Sequence, residues 1–146
     1  MIALGADHGG YDLKEEIKDY LVRKGYEVMD VGTFTKESVD YPDIAEKVAQ
    51  AIIAGQCDRG ILFCGTGIGV SIAANKIPGI RAANCSDPYS ARMAKEHNNA
   101  NVLCIGGRVV GKDLAVMIVE EWLSGEFQGD RHQRRIDKIA QLEKKY

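Results

Sequence analysis

Five short apolar runs recur along this chain, and each gives way to a turn and then to residues at helical spacing. They are Ile2-Ala3-Leu4-Gly5-Ala6, Tyr26-Glu27-Val28-Met29-Asp30-Val31, Gly60-Ile61-Leu62-Phe63-Cys64, Ile80-Arg81-Ala82-Ala83-Asn84-Cys85 and Val102-Leu103-Cys104-Ile105-Gly106. Short apolar runs between turn signals read as buried strands. After the first, Leu13, Ile17, Tyr20 and Leu21 recur at helical spacing, and Gly25 closes that helix. A polar loop from Gly32 to Tyr41 precedes a second helix, with Pro42 in its first turn, Ile44, Val48, Ala51 and Ile52 facing inward, and Gly55 at its end. Ser86-Asp87-Pro88 starts another helix that reaches His97, and a further one follows from Gly111 to Ser124. Strands that alternate with helices imply a parallel sheet covered on both faces. Right-handed crossovers make this a Rossmann-like three-layer α/β/α sandwich with a five-stranded parallel sheet. Its 146 residues suit a single domain over 1–146, and no linker or internal repeat divides them.

The tail departs from the pattern. Gly125 to Gly129 interrupts it, and Asp130 can cap a last helix from Arg131 onward. Ile136, Ile139 and Leu142 give that helix an apolar stripe beyond an already complete layer, which predicts packing on a partner subunit in a homodimer. The net charge of −2 offers no basic field for nucleic acid. No run reaches the ~18 apolar residues of a membrane span. The opening residues lack the basic flank of a signal peptide. Four cysteines at 57, 64, 85 and 104 contain no C-x-x-C spacing, so they read as reduced thiols of a cytoplasmic protein, not as disulfides or a metal site.

Chemistry concentrates where strands end, because open parallel sheets bind ligands beyond their carboxyl ends. Cys64 closes the third strand, and Gly65-Thr66-Gly67-Ile68-Gly69 follows before a run of small residues. Such a loop can aim backbone N–H groups at an anion and bring them beside a thiol able to act as base or nucleophile. Asp7 and His8 leave the first strand at the same edge, an acid and a proton carrier side by side. His97 ends a helix before the fifth strand and suits neutral-pH proton transfer or a helix C-terminal charge. Arg131, Arg134 and Arg135, with His132, form a basic cluster; Arg131 and Arg135 share a helix face suited to one phosphate. Cys57, Cys85 and Cys104 read as packing residues.

Two nucleotide signatures fail. The glycine loop is G-x-G-x-G and follows the third strand, whereas a dinucleotide fingerprint belongs to the first strand–helix turn, which has none. Gly106 to Lys112 matches a phosphate-binding loop until Asp113 stands where a Ser or Thr hydroxyl is required. Arg108 in that loop remains a phosphate-binding candidate.

Several unusual strings coincide over essentially the whole chain: Ala6-Asp7-His8-Gly9-Gly10, Asp40-Tyr41-Pro42-Asp43, Cys64-Gly65-Thr66-Gly67-Ile68-Gly69, Ala73-Ala74-Asn75-Lys76, Glu96-His97-Asn98, Gly107-Arg108-Val109-Val110-Gly111 and Arg131-His132-Gln133. Together they closely resemble the sugar-phosphate isomerase family of type B ribose-5-phosphate, galactose-6-phosphate and allose-6-phosphate isomerases. The resemblance implies cofactor-free and metal-free interconversion of ribose 5-phosphate and ribulose 5-phosphate through a cis-enediolate. It also implies a dimer, often paired into tetramers, with active sites shared between subunits. By the same resemblance Cys64 is the base, and Gly65, Thr66, Gly67, Ile68 and Gly69 form the anion hole. His97 opens the sugar ring with Asp7 and Tyr41 nearby, and Asn98 contacts ligand. His8, Arg108, Arg131 and Arg135 clamp phosphate, partly from the partner. A six-carbon sugar phosphate stays open as substrate, and a non-catalytic nucleotide module is the alternative of a different class.

Overall fold

The computed structural model describes all 146 residues. The elements alternate as the apolar runs predict: β1 (Ile2–Ala6), α1 (Tyr11–Arg23), β2 (Val28–Gly32), α2 (Tyr41–Ile53), β3 (Arg59–Cys64), α3 (Ile68–Ala74), β4 (Ala82–Asn84), α4 (Pro88–Asn98), β5 (Val102–Gly106), α5 (Lys112–Ser124) and α6 (Arg131–Lys145). The five strands form one sheet in the order β2-β1-β3-β5-β4, and every pairing is parallel. The order reverses between β1 and β3, so the loops that leave these two strands diverge and open a crevice at their carboxyl ends.

β3 is central, and successive residues serve opposite faces of the sheet. Ile61 and Phe63 pack with Leu13, Ile17 and Trp122 in one core layer. Leu62 and Cys64 pack with Ile44, Val48 and Val70 in the other. Trp122 also donates its indole N–H to Ala100 O at 3.0 Å, which satisfies the one polar atom of a fully buried ring.

Two strands are shorter than their apolar runs. β2 begins at Val28, since the Tyr26 N–H turns back to Leu21 O to close the end of α1. β4 keeps three residues, since Ile80 N–H closes a turn onto Ile77 O and Arg81 N–H donates to Asn101 Oδ1. α6 begins at Arg131 as the sequence predicts, but only His132 and Ile136 are buried along it. Ile139 and Leu142 remain exposed within one chain.

Candidate active site

Three loops converge at the carboxyl edge through backbone contacts. Asp7 N–H donates to Phe63 O at 3.1 Å, Gly107 N–H to Cys64 O at 2.8 Å, and Arg108 N–H to Gly65 O at 3.0 Å. Asp7 is 7% exposed, and its Oδ1 accepts from Gly9 N–H at 2.9 Å and Gly10 N–H at 3.2 Å. One carboxylate oxygen thus fixes the turn, and Oδ2 makes no hydrogen bond within the chain. His8 Nδ1 accepts from Val39 N–H at 3.3 Å. In the neutral ring this leaves the proton on Nε2, as a donor.

Cys64 is 5% exposed, and its Sγ accepts from Gly67 N–H at 3.1 Å. Gly67 has φ +81°, and a Cβ there would run into Asn84 Oδ1, so the loop's hydrogen bond to sulfur requires glycine on two counts. Thr66 Oγ1 accepts from Ile68 N–H at 3.2 Å, which stiffens the loop. The N–H groups of Gly65, Thr66 and Gly69 have no partner within the chain. Three unpaired donors therefore lie within five residues of the thiol. Tyr41 crosses from α2 and packs on this loop: a Cβ at Gly69 would sit 2.7 Å from its ring. Arg108 Nη1 lies 3.5 Å from where a side chain at Gly65 would begin, and its guanidinium forms no ion pair. Burial raises the thiols of Cys57 and Cys104 and pushes Cys85 up to about 11, helped by Asp87. Those three remain packing residues, as the sequence predicts.

The remaining candidates sit at the other edge of the sheet. α4 runs back from the carboxyl end of β4 to the amino end of β5, so its last residues, His97 and Asn98, lie beside the strand starts. Arg81, just before β4, donates from Nε to Asn98 O at 3.0 Å, and Asn101, just before β5, accepts from Gly60 N–H through its carbonyl. The length of β3 alone separates the two edges by roughly 17 Å. Within one chain, His97 and Asn98 are therefore not near Asp7 and Tyr41. His97 stacks on His132 of α6, with ring centroids 4.3 Å apart and planes at 9°. Arg131 and Arg135, on either side of His132 in α6, are exposed and join no ion pair or side-chain hydrogen bond.

Sequence reasoning missed the support beneath His8. Lys14, fully buried, donates to both oxygens of Asp30 at 2.9 Å and to Thr33 O at 2.6 Å, and packs near the rings of Tyr11 and Phe34. This ties α1 and β2 to the loop that carries Val39. The available signal was a lysine on the inner face of α1, between Leu13 and Ile17. No group of three metal-ligating side chains is assembled anywhere in the chain.

A Rossmann-like sheet with a thiol, an open donor loop and free arginines defines a fold and site suited to small phosphorylated ligands. The chain belongs to the ribose/galactose isomerase family, which matches it over residues 2–139. It is 53% identical to ribose-5-phosphate isomerase B of Escherichia coli K12, over 99% of this chain and 97% of that protein. It is also similar to the solved ribose-5-phosphate isomerase B of Clostridium thermocellum, with TM-score 0.98 and 62% identity over 99% of this chain and 98% of that one. The Mycoplasma genitalium ribose-5-phosphate isomerase B, solved with bound ribulose-5-phosphate, superposes with TM-score 0.94 at 42% identity, over 99% of this chain and 97% of that one.

Proposed function

We propose that this chain interconverts D-ribose 5-phosphate and D-ribulose 5-phosphate as a single-domain, cytoplasmic homodimer in the pentose phosphate pathway. The observation that carries the reading is Cys64 Sγ at the end of β3, held by Gly67 N–H beside three unpaired backbone donors. The Cys64 thiolate takes the proton from C2 of the open-chain aldose. The electron pair moves to the C1 oxygen and forms a cis-enediolate. The O2 hydroxyl proton passes to O1 within the enediolate, Cys64 returns its proton to C1, and C2 becomes the ketone. The N–H groups of Gly65, Thr66 and Gly69, with Gly67 and Ile68 shaping the loop, hold the oxyanion as it develops. The hydrogen bond from Gly67 strengthens when sulfur is anionic. No metal or cofactor enters this scheme.

The substrate arrives as a ring. Opening it breaks the C1–O4 bond, gives O4 a proton and removes the proton of the C1 hydroxyl. His97 supplies the proton, and the free oxygen of Asp7 receives the other, with Tyr41 closing that side. Asn98 contacts the sugar. His8, Arg108, Arg131 and Arg135 hold the phosphate, whose binding orients C1 and C2 on the thiol.

His97, Asn98, Arg131 and Arg135 lie at the amino edge, so they serve the carboxyl-edge cluster of a second copy of the chain. The exposed Ile139 and Leu142 of α6 support the same pairing. Four free, buried cysteines support a reducing compartment. The test is turnover of ribose 5-phosphate by chelator-treated protein, with galactose 6-phosphate and allose 6-phosphate beside it. Full activity on ribose 5-phosphate, lost in Cys64→Ala, is expected. Undiminished activity in Cys64→Ala would dismiss the thiol as base, and preference for a six-carbon sugar would move the substrate but keep the mechanism.

A further inference from the structure

His97 makes no side-chain hydrogen bond within the chain, and its ring stacks on that of His132. His132 is 5% exposed at the first turn of α6, and its backbone N–H is tied to Gly129 O at 2.9 Å. Its ring is thus held by burial, whereas that of His97 is only half-buried and is fixed by no side-chain hydrogen bond. We propose that His132 is a positioning residue: its ring fixes the plane of the His97 imidazole that opens the sugar ring. This rests on the assignment of ring opening to His97.

Further features support this. The Nε2 of His132 is buried without a hydrogen-bond partner, so a protonated ring there would carry an uncompensated charge. Burial, then His97, Arg131 and Arg135, lower its pKa against the opposing pull of Asp130. The neutral form of the His132 ring is therefore favoured. A neutral ring face also favours a cation stacked on it. Since Arg131 and Arg135 flank His132 on the same turns of α6, the stack sets their register to His97 as well. Ring-opening acid and phosphate arginines are then delivered as one unit.

Ring opening can be separated from proton transfer, because the two substrates differ in form. Ribose 5-phosphate is mostly a furanose. Ribulose 5-phosphate is open-chain, since its O5 is esterified and cannot close a five-membered ring. Initial rates would be measured from both sides for His132→Leu, His132→Phe and His97→Ala. Leucine keeps an apolar side chain in the buried position but offers no plane; phenylalanine keeps the plane. His132→Leu should lose about ten-fold or more in kcat from ribose 5-phosphate and change little from ribulose 5-phosphate, as misplacement of a catalytic group predicts. His132→Phe should stay close to wild type in both directions. Equal losses in both directions for His132→Leu, or equal behaviour of the leucine and phenylalanine variants, would overturn the positioning role. A His97→Ala protein that still converts ribose 5-phosphate at the normal rate would instead remove the assignment beneath it.

Discussion

The cluster at the carboxyl edge and the cluster at the amino edge are built by different means. The first stands on strand ends whose backbones are tied to each other, with Asp7 bonded to β3 and Arg108 to Gly65. Its loops are tied to one another by backbone hydrogen bonds within a single chain. The second stands on the last turn of α4 and the first turn of α6, joined by one ring stack and otherwise unpaired arginines. A strand end inside a sheet holds atoms to the tolerance that proton abstraction needs. A helix end at the surface offers side chains to something outside the chain. The contrast teaches that the two halves proposed for one site are built on unlike supports within the same chain.

The sharpest way to break that comparison is to disable the halves separately. Cys64→Ala and His97→Ala should each lose about 100-fold or more in kcat, the usual scale of acid–base groups. Co-expressed, the two should regain about one quarter of wild-type activity, since half the dimers are mixed and one of their two sites is intact. Activity of the co-expressed pool checks this, the purified mixed dimer should reach about one half, and no recovery would place both groups in one chain's site.

A smaller effect is expected from the phosphate side. Arg135→Gln should raise KM for ribose 5-phosphate about ten-fold with kcat little changed, as lost uniform binding predicts. Steady-state kinetics decide it; a fall in kcat alone would assign Arg135 to the chemistry. Gly67→Ala probes the rigid half. The strained φ and the contact with Asn84 should cost on the order of 1–3 kcal/mol of stability, read by urea unfolding, with a loss of activity as the donor to Cys64 shifts.

The smallest effect concerns the support beneath His8 and depends on pH. Burial alone would raise the Asp30 carboxyl, but hydrogen bonds from Lys14, Gly32 N–H and Lys18 outweigh it and hold the carboxyl below its ordinary value. A depressed folded-state pKa contributes stability that is present above the unfolded value of about 3.9 and is lost as pH falls through the folded one. The stability gap between wild type and Asp30→Asn should therefore be constant at neutral pH and narrow as the solution is acidified below pH 4 or so. Thermal unfolding across that range measures it, and a gap that widens on acidification would reverse the sign.

The carboxyl-edge cluster was legible in the sequence because its residues are contiguous. Asp7-His8 and Cys64 to Gly69 each follow an apolar run, and a parallel sheet puts such loops on one edge. The position of His97 was not, although the same alternation dictates it: a helix that leads into a strand ends at the opposite edge. The His97–His132 stack joins residues far apart in sequence, and the partner of Lys14, Asp30, lies sixteen residues away on another element. Strand lengths failed where turn and cap hydrogen bonds claimed the terminal residues of β2 and β4.

The separation of Cys64 from His97 across the sheet has a consequence for enzyme supply. If each working site spans two chains, as proposed, a solitary chain would be silent toward the sugar. Below the dissociation constant of the pair, output would rise with the square of chain concentration. Dilution would then act as an off-switch, and the isomerase flux of a cell making little of this protein would fall faster than its abundance.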